Sequence, residues 1–197
     1  MENQATICLN KNFSTTKKLT RKKPSLESSP KDKFESILFL PNSDSAERKG
    51  EGGLRTKEYF KHGLSTQPLV TVITVVFNGE KHLEKTILSV LNQCYENVEY
   101  IIIDGRSTDK TLEIIQKYED FVDYWVSEED QGIYDAMNKG IILSSGNIIG
   151  ILNSDDILYA NTINNVVSAF KENPTAMFTF GKIELATESG HIYGISN

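Results

Sequence analysis

Val70-Thr-Val-Ile-Thr-Val-Val-Phe77 is a nearly unbroken run of β-branched residues, the composition of a strand covered on both faces of a parallel sheet. Asn78-Gly79 punctuates it, and Leu83, Ile87 and Leu91 then recur at i, i+4 and i+8, which predicts an amphipathic helix over residues 80–93. Val98–Ile103 is a second buried strand, stopped by Asp104-Gly105. Ser107 or Thr108 can cap the next helix, with Asp109 favourably placed in its first turn, and Leu112, Ile114, Ile115 and Tyr118 supply its apolar stripe. Phe121–Ser127 reads as a third strand, followed by a helix over Ile133–Ser144 and a fourth strand over Ile148–Leu152. Thr162–Asn173 reads as a helix. The extended stretch Ala176–Phe180 and a hairpin, Lys182–Leu185 with His191–Tyr193, finish the chain. Strands alternate with helices four times over, so the expected class is α/β: a single Rossmann-like domain with a mostly parallel central sheet flanked by helices.

The remaining sequence bounds the function. The 197 residues carry a formal net charge of −6, unevenly spread. Residues 1–66 hold 13 Lys and Arg against 8 Asp and Glu, whereas residues 67–197 hold 8 against 19. An acidic body argues against a nucleic-acid partner, because displacing counterions from phosphates needs cations. Residues 1–66 show no periodicity beyond one apolar island, Ile37–Leu40, and are expected to be mostly disordered. Their basic run Lys17-Lys18 to Arg21-Lys22-Lys23 reads as a solvated tail that can touch an anionic membrane surface or nucleic acid. The two cysteines, Cys8 and Cys94, are too few for a disulfide framework and suit a reducing compartment, with Cys94 expected as a core thiol at a helix end. With no signal-peptide pattern and no membrane-span pattern, the expected location is the cytoplasm, at most against the inner face of the membrane.

Ligands of open α/β sheets bind beyond the carboxyl ends of the strands. Polar groups gather there: Asn78, Asp104, Glu128-Glu129-Asp130, and Asp155-Asp156. Adjacent carboxylates after a buried strand repel one another unless a cation or hydrogen-bond donors intervene. Hard divalent cations such as Mg2+ or Mn2+ share their oxygen ligands between one or two carboxylates and substrate phosphates, which lets an acidic body hold a diphosphate. His62, His82 and His191 have no metal-ligand spacing. The dinucleotide GxGxxG, the P-loop and the GxSxG nucleophile elbow are all missing.

Four segments taken together, Val70-TVITVVFN-Gly79, Ile101-IIDGRSTDKT-Leu112, Asp130-QGIYDAMNKGI-Ile142 and Gly150-ILNSDD-Ile157, resemble inverting glycosyltransferases of the GT-A fold, of the family 2 kind that builds bacterial polysaccharides and O-antigens. The resemblance covers residues 67–185, with Gly53-Leu-Arg-Thr-Lys57 as a lead-in. It implies a hexosyl transfer from a nucleoside-diphosphate-sugar donor to a glycan or lipid-linked acceptor, assisted by a divalent cation. Thr74 and Asn78 then line the nucleobase pocket, and Asp104 accepts a base N–H. Asp135, Asn138 and Lys139 form the sugar-side wall. Asn153 stands where the family's metal motif begins with an aspartate, so it is assigned to the ribose. Asp155 or Asp156 takes the metal, and spacing leaves open which. The family's general base lies well downstream, but only Glu184 and Glu188 remain past Glu172 and neither sits in a recognisable base motif. The expectation is a donor-binding half with the acceptor side missing: a fragment, an enzyme completed by a partner, or a non-catalytic nucleotide-sugar-binding module.

Overall fold

The computed structural model describes residues 6–24, 36–41, 48–187 and 189–196. It divides into two compact units, residues 1–163 and 164–197. The first is built on a five-stranded sheet of β1 (Gly50–Gly52), β2 (Val70–Val76), β3 (Val98–Asp104), β4 (Tyr124–Ser127) and β5 (Ile148–Asn153), in the order β1-β4-β3-β2-β5. All neighbours are parallel except β1, which runs antiparallel to β4. The mostly parallel α/β architecture is as the alternating pattern predicts.

Every residue of β2 and β3 is buried, which is why both read as continuous apolar runs rather than alternating ones. A fully buried Val or Ile contributes about 1.5–3 kcal/mol over an exposed one, so these two strands are the energetic centre. Helix α1 (Leu83–Leu91) buries Leu83, Ile87 and Leu91 completely, the stripe read from the sequence. Helix α2 (Thr111–Lys117) starts later than predicted: Lys110 is its N-cap, and Asp109 Oδ1 accepts from the Thr111 N–H just ahead of the first turn. Helix α3 (Ile133–Leu143) packs on β2 and β3, and Gly140 lies against Ile73, with no room there for a larger residue.

The described parts of residues 1–66 are folded, contrary to the expected disorder. Ser14, Thr15, Thr16 and Leu19 are buried, Ser14 Oγ donates to Val90 O at 2.9 Å, and Thr15 Oγ1 donates to Phe121 O at 2.6 Å. Of the basic run, Lys17 and Lys18 face Glu96, and Arg21 stacks on Tyr59. Residues 1–5, 25–35 and 42–47 lie outside the described residues. The segment carries no hydrophobic period because it builds no core of its own. It donates hydroxyls and cations to groups the domain would otherwise leave buried and unmatched. Cys94 is exposed rather than in the core.

Two of those cations are fully enclosed. Lys61 Nζ meets Asp123 Oδ2 at 2.6 Å and also donates to Val98 O, while Arg55 Nη2 meets Glu99 Oε1 at 2.7 Å. Burial pushes the Asp123 carboxyl up to about 6, against the pull of Lys61, and pushes the Lys61 amine down. Burial also works against the Glu99 charge, but Arg55, Ser145 and Thr71 outweigh it and hold that carboxyl below its usual range.

In the second unit, β6 (Ile183–Ala186) and β7 (Ile192–Ser196) form an antiparallel hairpin turned at Gly190, whose φ of 84° is left-handed. Helix α4 (Thr162–Glu172) precedes it, bridging the chain division. No strand forms over Ala176–Phe180, where Met177, Phe178 and Phe180 are exposed, so nothing there completes a sheet. Glu188 lies outside the described residues. Among the described residues, no helix is long and apolar enough to cross a membrane.

Removing Lys61 leaves Asp123 buried without its counter-charge. Lys61→Met should lower the unfolding free energy in urea by ~3 kcal/mol at pH 7. Because the folded carboxyl holds its proton more tightly than the unfolded chain does, its contribution favours folding in acid and is lost as pH rises through the folded value. The deficit of Lys61→Met should therefore shrink at pH 5; an equal deficit at both pH values would contradict this.

Candidate functional site

Four parallel strands end level with one another. Asp104 of β3 lies opposite Val76 of β2 and Ser127 of β4, and Asn153 of β5 lies opposite Val75. Since β2 is followed by β3 on one side and flanked by β5 on the other, strand order reverses between β2 and β5, the switch point at which such sheets open a crevice. The loops after β2 and β5 flank it.

The loops after β2 and β3 are zipped together. Asn78 adopts a left-handed φ of 53°, a conformation that Asn tolerates. Its N–H donates to Ser107 Oγ at 2.8 Å, and its Oδ1 accepts from the Thr108 N–H at 2.8 Å. Gly79 N–H donates to Thr111 Oγ1, Glu80 N–H to Asp109 Oδ2, and Lys110 N–H to Glu80 Oε2. Burial opposes the Asp109 charge, but the Thr111 hydroxyl and the N–H groups of Thr111, Glu80 and Asp109 itself outweigh it and keep the carboxyl below its usual range.

The loop after β5 is anchored from beneath. Thr86 Oγ1 donates to Ser154 O at 2.8 Å, Leu158 N–H to Ser89 Oγ at 3.1 Å, and Gln93 Nε2 to Tyr159 O at 2.8 Å. Thr86, Ser89 and Gln93 are buried polar residues at i, i+3 and i+7, a signal present in the sequence that the apolar stripe of α1 overshadowed. Above this anchor Asn153, Asp155 and Asp156 are exposed, and Asn153 Nδ2 donates to Asp156 Oδ2 at 3.2 Å. This loop meets the Asn78 loop: a Cβ on Gly79 would lie 3.6 Å from Ser154 Oγ.

Two expected base contacts are placed otherwise. Asp104 is fully buried, and its carboxylate accepts from the Ser107 N–H, the Ser107 hydroxyl and, at 2.6 Å, the Ser127 hydroxyl. With both oxygens taken and no solvent access, it shapes the rim rather than facing a ligand. Thr74 is also fully buried, inside the sheet, where its Oγ1 accepts from the Tyr100 hydroxyl at 3.1 Å. What the rim exposes instead is Phe77, 66% accessible, with the half-buried Asp130 beside it. Asp130 Oδ1 accepts from the Gly132 N–H at 2.8 Å, and its Oδ2 lies 2.6 Å from where a Cβ on Gly105 would be, with Phe77 3.5 Å from that same point. Phe77 was hidden in the sequence as the last letter of an apolar run.

Asn138 is exposed on α3, whereas Asp135 and Lys139 are half-buried and engaged. Lys139 Nζ lies 3.0 Å from Glu128 Oε1 and 3.5 Å from Asp135 Oδ2, and Arg106 reaches to within 3.9 Å of Glu129. Among the described residues, no group of three or more His, Cys, Asp or Glu is arranged to hold a metal. Two exposed carboxylates on one loop are an incomplete oxygen set. That fits a hard cation completing its sphere with phosphate and water, and not a closed structural site.

Comparison with known proteins agrees with this architecture. The chain is 42% identical over 94 residues to an uncharacterized glycosyltransferase of Mycobacterium tuberculosis, a match covering 47% of this chain and 36% of the relative. It is 33% identical over 127 residues to the putative teichuronic acid biosynthesis glycosyltransferase TuaG of Bacillus subtilis, covering 63% and 50%. It thus spans between about a third and a half of the length of these curated relatives. Among solved structures, the mannosyltransferase PcManGT of Pyrobaculum calidifontis, in complex with GDP-Man and Mn2+, superposes with a TM-score of 0.50 at 25% identity, over 54% of this chain and 33% of that one. The model for glycosyl transferase family 2 matches residues 71–193, more than half of the chain, and on that match the chain belongs to glycosyl transferase family 2.

Proposed function

We propose that this chain forms the donor-binding part of an inverting glycosyltransferase that moves a hexosyl group from a nucleoside-diphosphate sugar to a glycan or lipid-linked acceptor in polysaccharide assembly. The observation that carries the reading is the meeting of three loops at the switch point, with exposed Asp155 and Asp156 on one and exposed Phe77 beside Asn78 on another. The relatives named above support it, one by its printed role in teichuronic acid biosynthesis and one by its solved complex with GDP-Man and Mn2+.

A bound divalent cation, Mn2+ or Mg2+, supplies neutralisation of the charge that builds on the leaving diphosphate. The chain's own residues do the rest of the donor binding. In this reading Asp155 and Asp156 would supply oxygens to the metal on the diphosphate, and Asn153, whose Nδ2 donates to Asp156 Oδ2, would offer its amide oxygen to a ribose hydroxyl. Phe77 offers an exposed ring face for stacking a base. Asp130 keeps Oδ2 clear of its bond to Gly132 and directs it over Gly105, an acceptor for the imide N–H of uracil, thymine or guanine. Asn138, exposed on α3, borders the sugar side. Inversion by direct displacement needs a base to take the acceptor hydroxyl proton. Glu184, in the hairpin of the second unit, is the described carboxylate downstream of α4.

Calorimetric titration of UDP, GDP and CDP into the whole chain, with and without Mn2+, tests the reading. Binding of at least one should depend on Mn2+ and weaken about tenfold or more in Asp155→Ala or Asp156→Ala, since each removes an oxygen ligand. Metal-independent binding that survives both substitutions would refute the metal assignment. Transfer or donor hydrolysis by the same protein would mark an enzyme; metal-dependent binding without turnover would mark a nucleotide-sugar-binding module. Asp130→Asn should erase a preference for UDP or GDP over CDP, because an amide can donate to the cytosine ring nitrogen as readily as it accepts. An unchanged preference would remove Asp130 from base recognition.

A further inference from the structure

Arg48 and Lys49 lie outside the matched family region, yet both reach the donor rim. Lys49 joins β4 through its N–H, 2.8 Å from Ser127 O, and its Nζ donates to Ser107 O at 2.7 Å. Ser107 is the residue that holds both the Asp104 carboxylate and the Asn78 N–H, so the base-side loop is pinned from residue 49.

Arg48 does the same for the neighbouring loop. Its Nε and Nη2 donate to Glu128 Oε2 at 3.0 and 2.9 Å, and its Nη1 donates to Glu51 Oε2 at 2.8 Å. Glu128 Oε1 meets Lys139 Nζ at 3.0 Å, Lys139 Nζ also donates to Glu129 O at 2.9 Å, and Asp135 Oδ2 accepts from the Gln131 N–H at 3.2 Å. The result is a ladder of alternating charge, Glu51, Arg48, Glu128, Lys139 and Asp135, running from β1 to the first turn of α3. It brackets residues 128–132, the segment that carries Asp130. The Arg48 and Glu128 side chains are only 13% and 10% accessible, so their pairing is screened far less than a surface ion pair.

We propose that Arg48 is a positioning residue of the donor site, acting through Glu128 and Lys139 to hold residues 128–132 in the conformation that receives the nucleotide. This rests on the donor-binding reading above. Without Arg48, Glu128 keeps Lys139 alone and the loop loses its fixed end, while the strands beneath are untouched. Lysine cannot replace it fully, because one ammonium does not match a planar fork bridging two carboxylates.

The test uses the whole chain, titrated with UDP and GDP in the presence of Mn2+, together with amide hydrogen exchange at Gln131 and Gly132. Arg48→Met should weaken nucleotide binding about tenfold and speed exchange at both amides. Arg48→Lys should recover part of the affinity. The double variant Arg48→Met with Glu128→Gln should bind no more weakly than the more affected single variant, because both act on one path. Unchanged affinity in Arg48→Met, whatever its melting temperature, would overturn the proposal, leaving Arg48 a structural ion pair. Full recovery in Arg48→Lys with exchange still fast would also overturn it, leaving only a long-range charge effect. A wild-type chain that binds no nucleoside diphosphate would overturn the donor-binding reading, and this inference with it.

Discussion

The carboxylate of Asp104 is enclosed at the end of β3, where it gathers the Ser107 N–H, the Ser107 hydroxyl and the Ser127 hydroxyl. Ser107 in turn receives the Asn78 N–H and, on its carbonyl, the Lys49 ammonium. One buried anion therefore couples the loop after β2, the loop after β3, the end of β4 and the segment before β1. A hydrogen bond to a charged acceptor is worth about 1.5–3 kcal/mol net, and a buried donor left unpaired costs a similar amount. That is enough to fix loop geometry against the few kcal/mol of conformational freedom such loops otherwise keep. The rim groups, exposed Phe77 and Asn78 and half-buried Asp130, stand above this hydrogen-bonded hub.

A second set of buried charges does comparable work elsewhere in the first unit. Arg55 and Lys61 reach Glu99 and Asp123 in the interior, and both cations come from the stretch before β2. Such pairs contribute little net stability against apolar replacements, but losing one partner strands the other. They tie residues 48–66 to the domain in a single arrangement, which is what lets β1 add to β4 and carry Arg48 and Lys49 to the rim. The acidic body and the basic leader, opposite in net charge, meet in these contacts.

Much of this was legible in the sequence, and what was not has physical reasons. Val70–Phe77 and the spacing of Leu83, Ile87 and Leu91 announce strand and helix because burial imposes period on side chains. The position of Asp155 and Asp156 on the rim follows from the strand that precedes them. β1 escaped notice because Gly-Glu-Gly has no strand composition; it pairs only because Trp125 and its neighbours offer an edge. Ser14 to Thr16 escaped for a related reason: hydroxyls that satisfy distant carbonyls leave no pattern. Asp104 and Thr74 lie at the strand heights that the spacing gives, but both are buried and hydrogen-bonded within the domain; spacing along a strand does not say whether its last carboxylate faces outward or its own turn. Phe77 was absorbed into the apolar run that it ends.

On the proposed donor reading, base, ribose and diphosphate would lie across the switch point between β2 and β5. A crystal structure of the chain grown with Mn2+ and UDP or GDP tests it most directly. The account predicts the base over Gly105 against Phe77, and the diphosphate with its metal at Asp155 or Asp156. A nucleotide seated away from this rim, or a metal held by neither aspartate, would contradict it.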